Sequence, residues 1–375
     1  MAASTRPVRR ISGRGVDASL TVAVLGLILI GVVMVYSSSA AIAAHEFGDP
    51  FYYAKRQALF AVIGLIAFFT AANVDYGRYR EHARTLLFLA LALLMLVLVP
   101  GIGVVRGGAR SWIGIGAFSL QPSEFAKLAL IVFLAFWLER NGHRITSFWR
   151  GFLPPLLTAA VFFALIMLQP DLGTGTVLLA SAVIMMFVAG VRLWHLSLFA
   201  AAGAAGFAAL IIAAPYRIAR IAAYLDPWQD PLGSGYQTIQ SLLAIGPGGL
   251  LGLGLGMSRQ KYAYLPEPYN DFIFSIAAEE LGFIGAVTVV VLFGVVVWRG
   301  TVAALYAPDA FGAYVAVGIT AMVAVQVLIN IGVVTGLLPV TGITLPLLSA
   351  GGSSLVIVLA GLGVVHNILR CRLPV

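Results

Sequence analysis

The sequence predicts an all-α polytopic integral membrane protein, and two observations support this prediction. Hydrophobic residues make up 61% of the 375 residues and charged residues only 10%, with a mean hydropathy of +0.99. A soluble domain of this length has no use for so much apolar surface. Apolar runs also recur along the chain, and each has roughly the 20 residues that a helix needs to span a bilayer.

Ten such runs are present, so the sequence predicts about ten transmembrane helices. An even number of spans brings both termini to one side, and basic residues at each end place that side in the cytoplasm. The runs lie near residues 17–38, 56–74, 84–100, 122–139, 152–169, 173–190, 194–214, 272–298, 312–335 and 352–369.

The predicted organisation is one membrane domain between two short cytoplasmic tails. Residues 1–16 form a basic N-terminal tail, residues 17–370 the membrane domain, and residues 371–375 the C-terminal tail. One large extracytoplasmic loop, residues 215–271, connects the seventh and eighth runs. Lys and Arg concentrate on the predicted cytoplasmic side, which is the positive-inside bias and argues against a nucleic-acid partner.

The motif YLPEPYND, residues 264–271, lies directly before the eighth run. It brings Glu267 and Asp271 to a membrane boundary, although the whole chain has only 15 acidic residues. A carboxylate is costly beside hydrocarbon and is therefore a functional candidate. The alternative is a helix cap, because the helix dipole stabilises a carboxylate in the first turn.

Three further carboxylate or lysine candidates precede or open apolar runs. Glu124 and Lys127 are three residues apart, so they share a helix face and can pair. The pair could be structural, or the lysine could bind a phosphate group. Asp171 is favoured as the N-cap of the next predicted helix, with Thr174 in its first turn.

Two arginines and two glycine-rich segments complete the candidates. Arg217 and Arg220 would share a helix face, where they could bind phosphate oxygens bidentately or snorkel to lipid head groups. The six glycines of residues 246–256 predict a flexible or re-entrant backbone, because no Gly-Lys-Ser/Thr follows. Ser353, in the Gly-Gly-Ser-Ser segment that opens the last run, offers a hydroxyl to the outer mouth of the bundle. No metal-ligand cluster is evident, and a divalent cation that assists a leaving group stays open.

These segments together resemble the SEDS family (shape, elongation, division and sporulation), whose members include FtsW, RodA and SpoVE. The resemblance runs from about residue 20 to residue 367 and is closest to the FtsW/SpoVE branch. Ala263 and Ala350 depart from it, since some members have an acid and an aromatic residue there. The motifs are GGARSWIGIGAFSLQPSEFAK, QPDLGTG, DPWQDPLGSGYQTIQSLLAIGPGGLLGLGLG, YLPEPYNDFIF, EELGFIG and LLPVTGITLPLLSAGGSS.

The resemblance implies an inverting peptidoglycan glycosyltransferase that polymerises lipid II into β-1,4 glycan strands at the outer face of the bacterial cytoplasmic membrane. It also implies a role in cell division or sporulation, with a class B penicillin-binding protein and other division or sporulation proteins as partners. The family's catalytic aspartate falls on Asp271. Its QPSExxK residues fall on Glu124 and Lys127, and its loop arginines on Arg217 and Arg220.

We therefore expect Asp271 to be the catalytic general base. A lipid II flippase stays open as an alternative, although it should show polar residues continuing to the inner leaflet. A non-catalytic divisome scaffold also stays open, although it would need no carboxylate at the lipid boundary. The residues expected to bind substrate are Lys127, Glu124, Arg217, Arg220, Glu267, Asp171 and Ser353.

Overall fold

The computed structural model describes residues 15–106, 109–115, 118–212, 224–262 and 264–371, without the side chains of residues 106, 115, 118 and 206–212. Arg217, Arg220, Ala263 and most of both predicted tails lie outside these ranges. The described helices are α1 (Ala18–Phe47), α2 (Tyr52–Asn73), α3 (Gly77–Glu81), α4 (Ala83–Leu96), α5 (Pro122–Asn141), α6 (Leu153–Met167), α7 (Leu172–Val188), α8 (Leu193–Ile212), α9 (Tyr236–Ile245), α10 (Ile273–Leu305), α11 (Ala310–Val334) and α12 (Gly352–Arg370).

The helices confirm the polytopic fold class. Each of the ten predicted runs coincides with a described helix. By length and composition, six helices in the described ranges can cross a membrane: α1, α2, Phe148–Met167, α10, α11 and α12. Helices α4 and α7 and the segment Leu193–Ala205 of α8 are apolar but shorter, so ten spans and the placement of the termini stay predictions.

A small three-stranded antiparallel sheet between α4 and α5 was not predicted. Its strands are β1 (Gly103–Arg106), β2 (Ala109–Ile115) and β3 (Phe118–Leu120), with β2 in the centre. Strands this short and rich in glycine give almost no alternating pattern, which is the main sequence signal for a strand. Strands β2 and β3 lie within the GGARSWIGIGAFSL motif, directly before α5.

Helix packing brings distant parts of the chain together around an apolar interior. Helix α12 packs along α2, and α11 contacts α5, α7, α10 and α12. Helix α9 lies against α10 and buries Ile239 and Ser241, whereas Leu242 and Leu243 are exposed. The first residues of α2, α5, α7 and α12 thereby meet the segment before α10 at one end of the bundle.

Helix α10 is interrupted at Gly282, whose backbone angles, φ 68° and ψ −167°, are not helical. Backbone groups around the break pair with the glycine-rich loop instead of with their own helix. The Leu253 N–H donates to the carbonyl of Glu279 at 2.9 Å, and the Phe283 N–H donates to the carbonyl of Gly249 at 2.8 Å. The loop predicted to be flexible or re-entrant therefore folds back against α10.

Two buried carboxylates beside the break hold the same loop. Glu279 accepts a hydrogen bond from Ser258 Oγ at 2.5 Å. Glu280 forms an ion pair with Lys261 at 3.0 Å and accepts a hydrogen bond from Ser37 Oγ of α1 at 2.5 Å. These contacts fix the chain that leads directly into the YLPEPYND motif.

We expect Gly282→Ala to destabilise this junction. A Cβ on Gly282 would lie 2.3 Å from the backbone nitrogen of Gly252 and 2.6 Å from the carbonyl oxygen of Leu250. The positive φ costs an L-residue about 1–2 kcal/mol, and the overpacking costs about as much again. Thermal melting of the purified protein in detergent measures the loss.

The matched control is Gly294→Ala in the same helix, where an added Cβ meets no atom within 4 Å. It should melt at or above the wild-type temperature, because alanine favours a helix interior over glycine. A Gly282→Ala variant as stable as this control would show that the break in α10 is not required.

Candidate active site

A cavity of about 630 Å³ lies at the end of the bundle where the helix beginnings meet. Its size is within the range of ligand pockets, about 300–1,000 Å³. The structure brings five of the predicted site residues into its lining: Glu124, Lys127, Asp171, Glu267 and Asp271.

Asp271 precedes α10 and does not cap it. The helix begins at Ile273, and its N-cap residue, Phe272, makes no side-chain capping bond. The capping alternative for Asp271 is therefore wrong. No described residue donates a hydrogen bond to its carboxylate, and one oxygen lies 3.7 Å from where a Cβ on Gly342 would sit. The absence of a side chain at Gly342 keeps this carboxylate accessible from the cavity.

The surroundings of Asp271 favour its protonated form more than water does. Burial raises the pKa of the Asp271 carboxyl to about 7, and the neighbouring carboxyls of Glu267 and Asp171 add to the rise. A carboxylate with a pKa near the working pH can accept a proton in a transition state and release it afterwards. This property is required of a general base.

Side chains from α11 and from the segment before α12 fix the backbone around Asp271. The Asn330 amide nitrogen donates to the carbonyl of Asp271 at 2.8 Å and to the carbonyl of Ile343 at 2.7 Å. Ser349 Oγ donates to the carbonyl of Asn270 at 2.6 Å. The general-base candidate is thus held by contacts to its main chain, which leaves its side chain available.

Glu124 and Lys127 form the ion pair that their spacing predicts. The Lys127 Nζ lies 2.9 Å from Glu124 Oε1, and both side chains are buried. Ser354 Oγ donates to the other carboxylate oxygen at 3.0 Å, and Lys127 Nζ donates to Gln326 Oε1 at 3.2 Å. The lysine is therefore oriented on two sides while it lines the cavity.

Two amides on α11 connect these clusters. Gln326 and Asn330 lie one helical turn apart, and each contacts one site residue and one backbone carbonyl of the segment that precedes α12. For Gln326 the second contact is a hydrogen bond to the carbonyl of Thr344 at 3.0 Å. The turn of α11 thereby sets the spacing between Lys127 and Asp271. The sequence signal was a pair of polar amides in an otherwise apolar helix.

Asp171 is both a helix cap and a residue of the cavity lining. It caps α7 by accepting a hydrogen bond from the Thr174 N–H at 3.0 Å, as predicted, and it also faces the cavity. Its second oxygen accepts a hydrogen bond from the Gln121 amide at 3.0 Å. Ser353, in contrast, is buried outside the described lining, where its hydroxyl accepts from the Gln121 N–H at 3.3 Å. The adjacent Ser354 lines the cavity in its place.

Several lining residues at the start of α2 were missed. The Tyr53 hydroxyl lies 3.2 Å from that of Tyr269, and the two rings are 4.4 Å apart. Gln57 donates to the carbonyl of Ser349 at 3.1 Å. Arg56 adds a guanidinium group to the lining. The available signal was the polar sequence Lys-Arg-Gln at the beginning of an apolar run.

The charge balance of the lining limits what it can bind. The described lining residues include four carboxyl groups and two cations, Arg56 and Lys127. A diphosphate group needs further positive charge, either from a divalent cation or from Arg217 and Arg220, which lie outside the described ranges. The described residues contain no cluster of three metal-binding side chains.

The helical bundle and its acid-lined cavity define a polytopic membrane protein with a polar site at one end. Within that class, the chain belongs to the FtsW, RodA and SpoVE family. A family model described as a cell cycle protein matches residues 18–372.

Individual relatives agree with this assignment. Stage V sporulation protein E of Bacillus subtilis is 57% identical over 354 residues, covering 94% of this chain and 97% of the relative. A probable peptidoglycan glycosyltransferase FtsW of Thioalkalivibrio sulfidiphilus is 45% identical, covering 94% and 89%.

Solved structures show the same fold. A chain of a peptidoglycan synthase complex, in a study of coordinated polymerization and crosslinking, superposes with a TM-score of 0.80 at 36% identity, covering 96% of this chain and 99% of that chain. RodA of Thermus thermophilus superposes with a TM-score of 0.71 at 33% identity, covering 96% and 98%.

Proposed function

We propose that this chain is a peptidoglycan glycosyltransferase that polymerises lipid II in cell division or sporulation, with Asp271 as its general base. The relatives named as FtsW glycosyltransferases support the activity. The observation that carries the assignment of the base is the Asp271 carboxylate, which lines the cavity without a hydrogen-bond donor among the described residues.

The reaction is a single displacement. The 4-hydroxyl of an acceptor GlcNAc attacks the anomeric carbon of a donor MurNAc, while the bond from that carbon to the undecaprenyl pyrophosphate breaks. Asp271 accepts the hydroxyl proton, and the α-linked donor becomes a β-1,4 linkage. The pyrophosphate leaves with the bonding electron pair and therefore gains negative charge that cations must stabilise.

The cations near the leaving group have distinct roles in this proposal. Lys127, oriented by Glu124 and Gln326, binds one phosphate group from within the bundle. Arg56 binds at the rim, and Arg217 and Arg220 contribute from the large loop. If a divalent cation takes part, the carboxylates of the cavity lining would hold it, and it would add positive charge beside the leaving pyrophosphate.

The proposed setting is the bacterial cytoplasmic membrane. The cavity faces outside, ten helices span the bilayer, both termini are cytoplasmic, and residues 215–271 form the large outer loop. A class B penicillin-binding protein is the proposed partner, because a similar fold occurs in a peptidoglycan synthase complex. Crosslinking would then act on glycan strands as they leave the cavity.

Purified protein, a class B penicillin-binding protein with its transpeptidase blocked, and labelled lipid II test the activity. Long glycan strands on a gel are the expected result. Transport of lipid II across vesicles without any glycan would instead assign the chain as a flippase. If folded protein gives neither glycan nor transport, the non-catalytic scaffold is the remaining function.

The pKa of Asp271 predicts how polymerisation depends on pH. A general base works only when deprotonated, so protonation at low pH removes activity. With a pKa of about 7, kcat/KM should rise about tenfold per pH unit below about pH 6 and level off above about pH 8. Initial polymerisation rates across this range give the profile.

Glu267→Gln should move the midpoint of this profile to lower pH, because it removes a negative charge that raises the pKa of Asp271. Glu46→Gln is the control, since Glu46 is exposed outside the cavity lining. It should leave the midpoint in place. A midpoint that Glu267→Gln leaves unchanged or moves to higher pH would argue against Asp271 as the titrating base.

A further inference from the structure

A second pocket lies at the opposite end of the bundle from the cavity. It has a volume of about 250 Å³ and is lined by Arg80, Glu81, Arg84, Phe136 and Arg140, here called the arginine pocket. Helix α5 connects the two sites, since the cavity residue Glu124 lies in its first turn and Arg140 in its last. With 20 residues, α5 spans about 30 Å, which is the thickness of a bilayer's hydrocarbon core.

The arginines of the pocket are held in two different ways. Arg80 forms ion pairs with Glu139 at 3.2 Å and Asp309 at 2.6 Å, so its charge is balanced within the protein. Arg84 and Arg140 have no carboxylate within ion-pair distance in the described chain. Their guanidinium groups lie over the same phenyl ring, at 5.5 Å and 4.4 Å from its centre respectively.

Both guanidinium groups line one pocket beside the same ring, and neither has an ion-pair partner among the described residues. Two positive charges that line one pocket repel each other, so an anion bound in the pocket is favoured. The ring of Phe136 is buried, and its centre lies within 5.5 Å of the central carbon of each guanidinium group. Arginine forks match the oxygens of a phosphate group, which makes phosphate the anion that fits. Glu81 is exposed in the same lining and can accept hydrogen bonds from hydroxyl or ammonium groups of a ligand.

The surroundings of the pocket favour a membrane lipid as the source of such a phosphate group. Phe88 lies one helical turn from Arg84 on α4 and is 64% exposed. This exposed apolar surface continues toward the other end of the helix through Leu89, Ala92, Met95 and Leu96. Such a surface suits acyl chains, whereas an acidic peptide or free phosphate makes no use of it.

We propose that the arginine pocket binds the phosphate group of an anionic phospholipid, whose acyl chains lie along the exposed apolar face of α4. Basic pockets between membrane helices bind such headgroups, because they place positive charge at the depth of the lipid phosphates. The proposal does not depend on the glycosyltransferase activity, because it concerns the other end of the bundle and is tested by binding alone.

Short-chain phosphatidylglycerol, added to the purified protein in neutral detergent, tests the proposal. We expect Arg84→Gln/Arg140→Gln to weaken binding by roughly 30-fold, on the scale of about fivefold for each basic residue at an anionic surface. Neither side chain has an ion pair in the described structure, so the melting temperature should remain close to that of the wild type.

The matched control is Arg144→Gln/Arg150→Gln, which removes the same charge from two exposed arginines just beyond α5. It should weaken binding by less than about threefold, since neither residue lines the pocket. Equal losses in both double variants would reduce the effect to general charge attraction and overturn the proposal, as would no loss in either.

Competition identifies the ligand. Inorganic phosphate and a poly-glutamate peptide, added at the lipid's own concentration, should displace little phosphatidylglycerol. Displacement by phosphate would assign the pocket to a soluble anion, and displacement by the peptide would assign it to an acidic protein segment. Either result would overturn the lipid assignment.

Discussion

Asp271→Asn is expected to abolish glycan polymerisation while leaving the protein folded. The amide keeps the shape of the side chain but cannot accept the proton of the attacking hydroxyl, a loss of about 10²–10⁴-fold in rate. The carboxylate accepts no hydrogen bond from a described residue, so the substitution breaks no described contact. It also removes the repulsion from Glu267 and Asp171. Initial rates with labelled lipid II, together with thermal melting, measure both effects.

Asp230→Asn provides the matched control. Asp230 is exposed in the large loop and accepts hydrogen bonds from Ser234, which an asparagine oxygen can also accept. Its rate should stay within about twofold of wild type. An Asp271→Asn variant that polymerises nearly as fast as this control would place the general base elsewhere.

Lys127→Met is expected to cause the largest loss of stability, about 3–5 kcal/mol, because it leaves the buried Glu124 carboxylate without its partner. Ser354 continues to donate a hydrogen bond to that carboxylate but does not balance its charge. A lower melting temperature in detergent is the measured consequence. Lys55→Met is the control, since Lys55 pairs with Asp49 at an exposed site and should change melting little.

The double variant Glu124→Gln/Lys127→Met separates a structural ion pair from a phosphate-binding lysine. Replacing both partners of a buried ion pair with uncharged residues often changes the free energy of unfolding little. We therefore expect melting to recover while polymerisation stays low, because the leaving pyrophosphate still lacks a cation. Recovery of both properties would assign the pair to structure alone.

The fold class and most of the site were predictable because hydrocarbon restricts both. A chain in a bilayer must satisfy its backbone hydrogen bonds within each segment, so long apolar runs become helices. Charged groups are costly at the boundary, so Asp271, Glu124 and Lys127 stand out in the sequence. The short sheet before α5 is neither a long apolar run nor a site of buried charge, so these rules did not predict it.

Only the tertiary structure decided which neighbouring side chains face the cavity. Ser353 and Ser354 are adjacent in the sequence, yet Ser354 alone reaches Glu124, a residue 230 positions away. Asp271 was equally suited to capping until the start of α10 at Ile273 excluded it. Asn330 holds the backbone of Asp271 through a contact between residues 59 positions apart. Local sequence sets which residues are costly to bury, whereas the packing of distant helices sets the direction in which each one points.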